Sequence, residues 1–487
     1  MTRHPHDARP IRLHGRGPAI PSAPAASTPR RRGRRLLATG LGAAVLAAVM
    51  TGCGPAGTPG SDNKPSTSPS GKSPSPKQPF ATPILQQAWT TPPVTGDIMR
   101  AKLIGTWTTD TALYIGRGTG VTVLDQATGK QLGTIEPPEP GMSPCGMSEG
   151  LNKDGLGALA WLKGDPESTK ANCDHITLID TRDGNKARWT TTVAAVPLWG
   201  KPLTDDSTQL GFTGDVLAVR TANTVVGLRL DKSVAWTWKN PGTPTDTYVR
   251  NVGLAAGPDR LAVRLGTSHG ADWTYDIAVL DAGGRQLAVT PMSLPEGGSV
   301  ELLSGSPMTA LVRPDPFDNV TPPELLVLSK EGAVARRIKL ATAAGPAEPG
   351  RFSLLGGAEK FNIQLTDTAV FVTAGDTMSE AAPTQVAAFD LATGAHRWTR
   401  PVGTIIRPRF AGADQDAVYV LGGKSIADMP LYAYNAQSGE RTQISTVKQP
   451  DNLLMLESMI IGRVPDGLTL VGEGSGPGAS LFRAPTS

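Results

Sequence analysis

Few side chains in this sequence are capable of covalent or metal chemistry. Its 487 residues include 3 Cys and 6 His. The cysteines are Cys53, Cys145 and Cys173, and beyond residue 52 the histidines are His175, His269 and His396. Those histidines fall in separate stretches without metal-ligand spacing, so neither a zinc site nor a Cys–His nucleophile pair is expected. Gly116-Arg117-Gly118-Thr119-Gly120 and Gly472-Glu473-Gly474-Ser475-Gly476 look superficially like phosphate loops. Neither has Walker spacing or opens a helix, and hairpin turns fit both better. Asp205-Asp206, and Asp315 with Asp318, sit in turn-like segments without EF-type spacing and read as solvated loop charges rather than calcium ligands. The expectation is a chain with no catalytic residue, no metal site and no cofactor.

Cysteine can also carry a lipid or form a cross-link. Arg30-Arg31-Arg32-Gly33-Arg34-Arg35 is a basic stretch, and the uncharged run Leu36–Val49 follows it. That run is short and weakly apolar for a membrane span, and the order matches a signal peptide. Met50-Thr51-Gly52-Cys53 resembles a bacterial lipobox, with Met50 in place of the usual Leu. Cys53 is thus expected to become a lipidated N-terminus; the alternatives are an ordinary signal peptide with a chance cysteine, or an uncleaved anchor. Arg34-Arg35-Leu36-Leu37 loosely resembles a twin-arginine signal. Two acyl chains anchor stably where one is marginal, since each buried CH₂ contributes about 0.8 kcal/mol. Cys145 and Cys173 then remain as an even pair, expected to form a disulfide in an oxidising compartment rather than a redox or metal pair.

Charge agrees with export. The chain has 47 Lys+Arg and 43 Asp+Glu. The basic excess lies before Cys53, and the remainder is slightly acidic. No dense Lys/Arg cluster follows in the sequence, so no nucleic-acid partner is expected. Residues 54–79 are mostly Pro, Ser, Gly, Thr and Lys, too poor in apolar surface to offset the entropy of ordering, and they read as a tether. The organisation is therefore 1–52 signal peptide, 53–80 lipidated Cys and tether, and 81–487 a folded domain.

The elements of that domain are short apolar runs bounded by Gly, Pro, Asp and Asn, without sustained helical periodicity, which indicates an all-β fold. A strand ending in an acidic or polar residue, followed by a Gly-containing turn and another strand, recurs about every 50 residues. Its anchor positions are Asp125, Asp180, Asp231, Asp281, Ser329, Asp390 and Asn435, and Ser480–Arg483 starts an eighth unit. A second apolar strand precedes each, so the unit has the size of a propeller blade of four antiparallel strands. Eight blades are expected, or seven if one irregular unit is an insertion. Leu85–Trp89 resembles an outer strand, and by completing the last unit it would close the ring.

The stretch from Ala388 to Trp398, with Asp390, Thr393 and Gly394 between them, resembles the Ala-x-Asp-x-x-Thr-Gly-x-x-x-Trp docking motif of quinoprotein propellers. Over roughly residues 85–487 the chain is similar to the pyrroloquinoline-quinone-like propeller repeat family, which includes many lipoproteins. In that family the motif mainly packs blades. The anchor, the tether, the degenerate repeats and the lack of catalytic residues lead to the expectation of a non-enzymatic binding or scaffold module on the outer face of the cytoplasmic membrane, held by its lipid and presented to a protein or cell-wall partner. The alternative is a quinone-dependent oxidoreductase, which needs an acidic base, a calcium cage and stacking groups that the residues do not identify.

Overall fold

The computed structural model describes residues 84–92, 94, 103–164, 172–193, 208–221, 224–240, 248–269, 272–294, 298–314, 321–343, 345–346, 351–353, 359–361, 363–374, 385–402, 408–422, 428–448, 459–464, 467–472 and 478–483. Among them every regular element is a strand. β1 (Ile84–Thr90) is followed by β2–β5 (Leu103–Thr108, Ala112–Arg117, Gly120–Asp125, Gln131–Ile135) and β6–β9 (Met142–Met147, Leu156–Lys163, Asn172–Asp180, Lys186–Thr192). Next come β10–β13 (Gln209–Thr213, Val216–Arg220, Thr224–Arg229, Val234–Lys239), β14–β17 (Tyr248–Ala256, Arg260–His269, Asp272–Asp281, Gln286–Met292) and β18–β21 (Ser299–Gly305, Met308–Arg313, Glu324–Leu328, Val334–Lys339). The small strands β22–β25 (Ala341–Thr342, Gly345–Pro346, Arg351–Ser353, Glu359–Phe361) precede β26–β29 (Ile363–Leu365, Ala369–Ala374, Gln385–Asp390, His396–Pro401). The chain ends with β30–β33 (Arg409–Ala413, Ala417–Leu421, Asp428–Asn435, Arg441–Lys448) and β34–β36 (Met459–Val464, Gly467–Gly472, Ala479–Arg483).

Six of the sheets are four-stranded antiparallel meanders in chain order, and an eight-stranded sheet runs β30-β31-β32-β33-β1-β36-β35-β34. The latter is two four-strand halves joined by β1. That strand pairs antiparallel with β36, from Gln86↔Arg483 to Thr90↔Ser480, and touches β33 in parallel at Ile84↔Thr446 and Leu85↔Val447. The fold is an all-β propeller. The long step from Ser329 to Asp390 in the repeat is explained by β22–β25, two small sheets inserted between β21 and β26.

The core lies between sheets rather than inside any one. Side chains alternate across a strand, so Leu261, Val263 and Leu280 pack on Ala218, Val225 and Trp238 of the preceding sheet. Ala262, Ile277 and Val279 of the same strands pack on Val300, Ala310 and Leu326 of the next. Burial on both faces is why the middle strands read as continuous apolar runs. Each such Val, Leu or Ile contributes about 1.5–3 kcal/mol by leaving water. The same arrangement recurs from sheet to sheet, and the last interface joins Trp89, Val471 and Leu481 to Leu103, Leu113 and Leu124 of the first. Last sheet meets first, so the ring is closed. Every core cluster lies within Ile84–Arg483, and residues 72–487 form one compact unit.

A buried guanidinium secures the seam. Arg117, at the end of β3, donates from Nη2 to the carbonyls of Gly472 (2.5 Å) and Gly478 (3.1 Å) on the last sheet. Arg117→Ala deprives both carbonyls of that donor, and a loss of about 1–3 kcal/mol is expected. Urea unfolding of the variant measures it; an unchanged midpoint would show that the guanidinium is not needed at the seam.

Candidate functional site

The docking motif spans the turn between β28 and β29. Asp390 ends β28, and its Oδ1 accepts hydrogen bonds from the Thr393 N–H (2.7 Å) and hydroxyl (2.8 Å), which folds the chain back within one turn. Gly394 supplies φ of +76° there. Arg397 donates from Nη2 to Asp390 Oδ2 at 2.6 Å and to the Thr368 carbonyl at 2.8 Å. The Arg397 guanidinium and then the Thr393 donors hold the Asp390 carboxyl down at about 2. Ala388 is fully buried and pairs with Trp398 across the sheet.

Trp398 does the docking. Its ring is buried, stacks on Tyr434 of the next sheet at 5.9 Å between centroids, and donates from Nε1 to the Ala436 carbonyl at 3.2 Å. The indole lies over Gly439, where a Cβ would sit 2.5 Å from the ring. Only glycine leaves that space, and its φ of +67° suits the turn as well. Burial pushes the Tyr434 hydroxyl up to about 12.

The same device recurs where the motif is incomplete. Trp89 of β1 lies over Gly129 and donates to the Gln126 carbonyl at 3.1 Å, across the seam. Trp236 lies over Gly284 and donates to the Ala282 carbonyl at 2.9 Å, and Trp189 donates to the Leu230 carbonyl at 2.7 Å. Where the outer strand lacks a Trp, Thr290 donates to the Gly332 carbonyl (3.0 Å) and Arg336 to the Thr393 carbonyl (3.1 Å). β5 has Gly133 at the Trp position; there Trp107 of the inner strand β2 takes over, lying over Gly157 and donating to the Ser148 carbonyl at 2.9 Å. Thr290, Arg336 and Trp107 carry no motif signature, so the sequence pattern did not mark them.

Cys145 and Cys173 form a disulfide with Cα atoms 6.1 Å apart. They sit on β6 and β8, the first and third strands of one sheet, with β7 between them. Next-but-one strands ordinarily stand about 9–10 Å apart. A β-bulge at each cysteine, between Pro144 and Gly146 and again between Cys173 and His175, re-aims the backbone. Both cysteines are buried.

Among the described residues, the other ion pairs are separate from the motif, and a partly buried one joins Arg264 to Glu301 beside Tyr275. His175 Nδ1 and Asp174 Oδ1 are 2.6 Å apart, and Lys163 Nζ lies 2.6 Å from Glu139 Oε2. His396 is exposed on β29, with Nε2 2.7 Å from Thr399 Oγ1. Burial raises the Asp276 carboxyl on β16. No group of three or more His, Cys, Asp or Glu placed to hold a metal ion occurs among the described residues. Gly116–Gly120 is the tight turn joining β3 and β4. Cys53, Asp205, Asp206, Asp315 and Asp318 lie outside the described residues, and among those described no helix is long and apolar enough to cross a membrane.

Asp390 gives a pH signature. Its pKa is lower folded than unfolded, so its ionised form stabilises the fold above the ordinary aspartate range, and this is lost as pH falls through about 2. The melting-temperature advantage of the native chain over Asp390→Asn should shrink across that acid window. A constant difference down to the lowest pH would show that the Arg397 pairing does not stabilise the fold.

No protein-family model matches the chain, and no curated protein does. Among solved structures it is similar to BamB from Moraxella catarrhalis, with 13% identity and a TM-score of 0.44 over 82% of this chain and 100% of that one. It is also similar to the WD40 domain of Neurospora crassa Pan2, at 10% identity and a TM-score of 0.41 over 83% and 98% of the two chains. A eukaryotic initiation factor gives 11% identity and a TM-score of 0.43 over 83% and 93%. The propeller assignment rests on the sheets and the clusters between them.

Proposed function

We propose that the chain is a membrane-anchored extracytoplasmic lipoprotein, lipidated at Cys53, whose eight-bladed propeller is a non-catalytic binding or scaffold module. The observation that carries this reading is the employment of the docking motif. Asp390, Thr393, Arg397 and Trp398 all spend their polar groups on the turn and on the neighbouring sheet. The motif therefore acts as packing, and the quinone-dependent reading draws no support from it.

The face used follows from connection length. Within each sheet, first-to-second and third-to-fourth strands are joined mostly by tight turns, as at Thr213–Val216 and Asp281–Gln286. The other side carries the longer connections, as at Thr192–Gln209 and Arg313–Glu324. Loops on a rigid scaffold are where binding residues concentrate, and this side is taken as the partner face.

Two measurements test the proposal. Metabolic labelling with palmitate should mark the native chain and not Cys53→Ser. A photo-crosslinker in place of Lys163, on the loop side, should trap a partner in cells that one in place of Lys232, in a turn, does not. Label retained by Cys53→Ser, or equal trapping from both sides, would overturn the anchor or the face respectively.

A further inference from the structure

The outer strands share a charge bias that the linear sequence conceals. β1, β5, β9, β13, β17, β21, β29 and β33 contain no Asp or Glu at all. Their cations concentrate on three consecutive sheets of the rim: Arg336, Arg337 and Lys339 on β21, Arg400 on β29 and Arg441 on β33, all exposed. Charge of either sign blunts a sheet edge against aggregation, so edge protection explains the presence of charge but not its single sign.

The partners of these cations leave most of the charge uncompensated. Arg336 donates to the Thr393 carbonyl, Arg400 to the carbonyls of Ser438 (3.0 Å) and Gly439 (3.2 Å), and Arg441 to that of Pro401 (3.0 Å). Neutral carbonyls fix the guanidinium groups in place without cancelling them. Arg337 alone of these five has a carboxylate partner, Glu324 at 3.1 Å. Of the acidic groups of this sector, Glu324 lies on the adjacent strand β20 and Glu359 on β25, while Glu331 and Glu440 lie in turns.

Where the chain enters the ring decides what such a surface meets. β1 is the first described strand, preceded by 83 residues, and its first residue, Ile84, pairs with Thr446 on β33. The described chain therefore begins at the rim, beside the basic sector. We propose that the rim formed by β21, β29 and β33 docks on anionic phospholipid headgroups as a second, electrostatic membrane contact. This rests on the reading that the chain resides at a membrane. A lipid anchor combined with a basic patch is a recognised two-signal route to stable attachment.

The test uses residues 72–487, the compact unit, which lacks Cys53, so that failure of the rim and failure of lipidation are separate results. Co-sedimentation is measured with phosphatidylcholine vesicles with and without phosphatidylglycerol. Binding is expected only with the anionic lipid and should vanish in molar salt, where screening shortens to about 3 Å. Each cation at an anionic surface contributes about 1 kcal/mol, a factor of about five, so Arg336→Gln/Lys339→Gln/Arg400→Gln should bind about a hundredfold more weakly. Arg336→Lys/Arg400→Lys, which keeps the charge but loses the guanidinium contacts, should still bind; thermal melting of both variants shows that they fold. Undiminished binding by the Gln variant, or no preference for anionic vesicles, overturns the proposal. Retention on inorganic polyphosphate without retention on vesicles overturns the membrane as the occupant.

Discussion

Trp398→Ala should lower the unfolding free energy by about 3–5 kcal/mol, the range for deleting a buried aromatic. The ring is 3% exposed and packs between Phe371 of its own sheet and Tyr434 of the next. Truncation leaves a cavity there and deprives the Ala436 carbonyl of its indole donor. The contact can also be attacked from the other side. A Cβ at residue 439 would sit 2.5 Å from the indole, so Gly439→Ala alone should destabilise through the clash and through its positive φ. In the double variant the indole is gone and the clash disappears, leaving only the backbone cost. The two losses should therefore be strongly non-additive, with a coupling of about 0.5–3 kcal/mol. Urea unfolding of the four chains closes the cycle. Additive losses would mean that Trp398 and Gly439 do not meet in solution.

Much of this arrangement was legible in the sequence. The recurrent turn, the strand before it and the closing role of Leu85–Trp89 all follow from period and turn chemistry, which are local. The structure extends β1 by one residue at each end and pairs it with β36 as expected. What the sequence hid is non-local. Trp107 replaces the Trp that β5 lacks, but it sits on the inner strand and reaches a different carbonyl, so no motif spacing marks it. Arg117 reads as part of a glycine-rich turn until the last sheet is brought alongside it. The basic sector was invisible for the same reason. β21, β29 and β33 are far apart in the chain, and beyond Cys53 no long stretch of sequence is dense in Lys or Arg, yet closure of the ring places them side by side on one rim.

Removing both sulfurs, as Cys145→Ala/Cys173→Ala, should cost about 3–4 kcal/mol on the loop-entropy model, for cysteines 28 positions apart. The expectation depends on what the bond spans. Adjacent strands are already tied by their hydrogen-bond ladder, and a link between them would constrain little that pairing does not. This bond instead joins the first and third strands past β7, through the bulges at both cysteines. It therefore fixes a bend that the ladder has given up. Release should loosen the β6 edge first, where Cys145 and Leu210 share a cluster with the next sheet. Amide exchange should accordingly rise in β6 and β10 before it rises in the other strands of the two sheets. Because both cysteines are buried, a reductant added to the folded native chain should leave its exchange unchanged, and should lower its midpoint to that of the double variant only when present during unfolding. Coincident unfolding curves for the oxidised native chain and the double variant would show that the bend is held by packing alone.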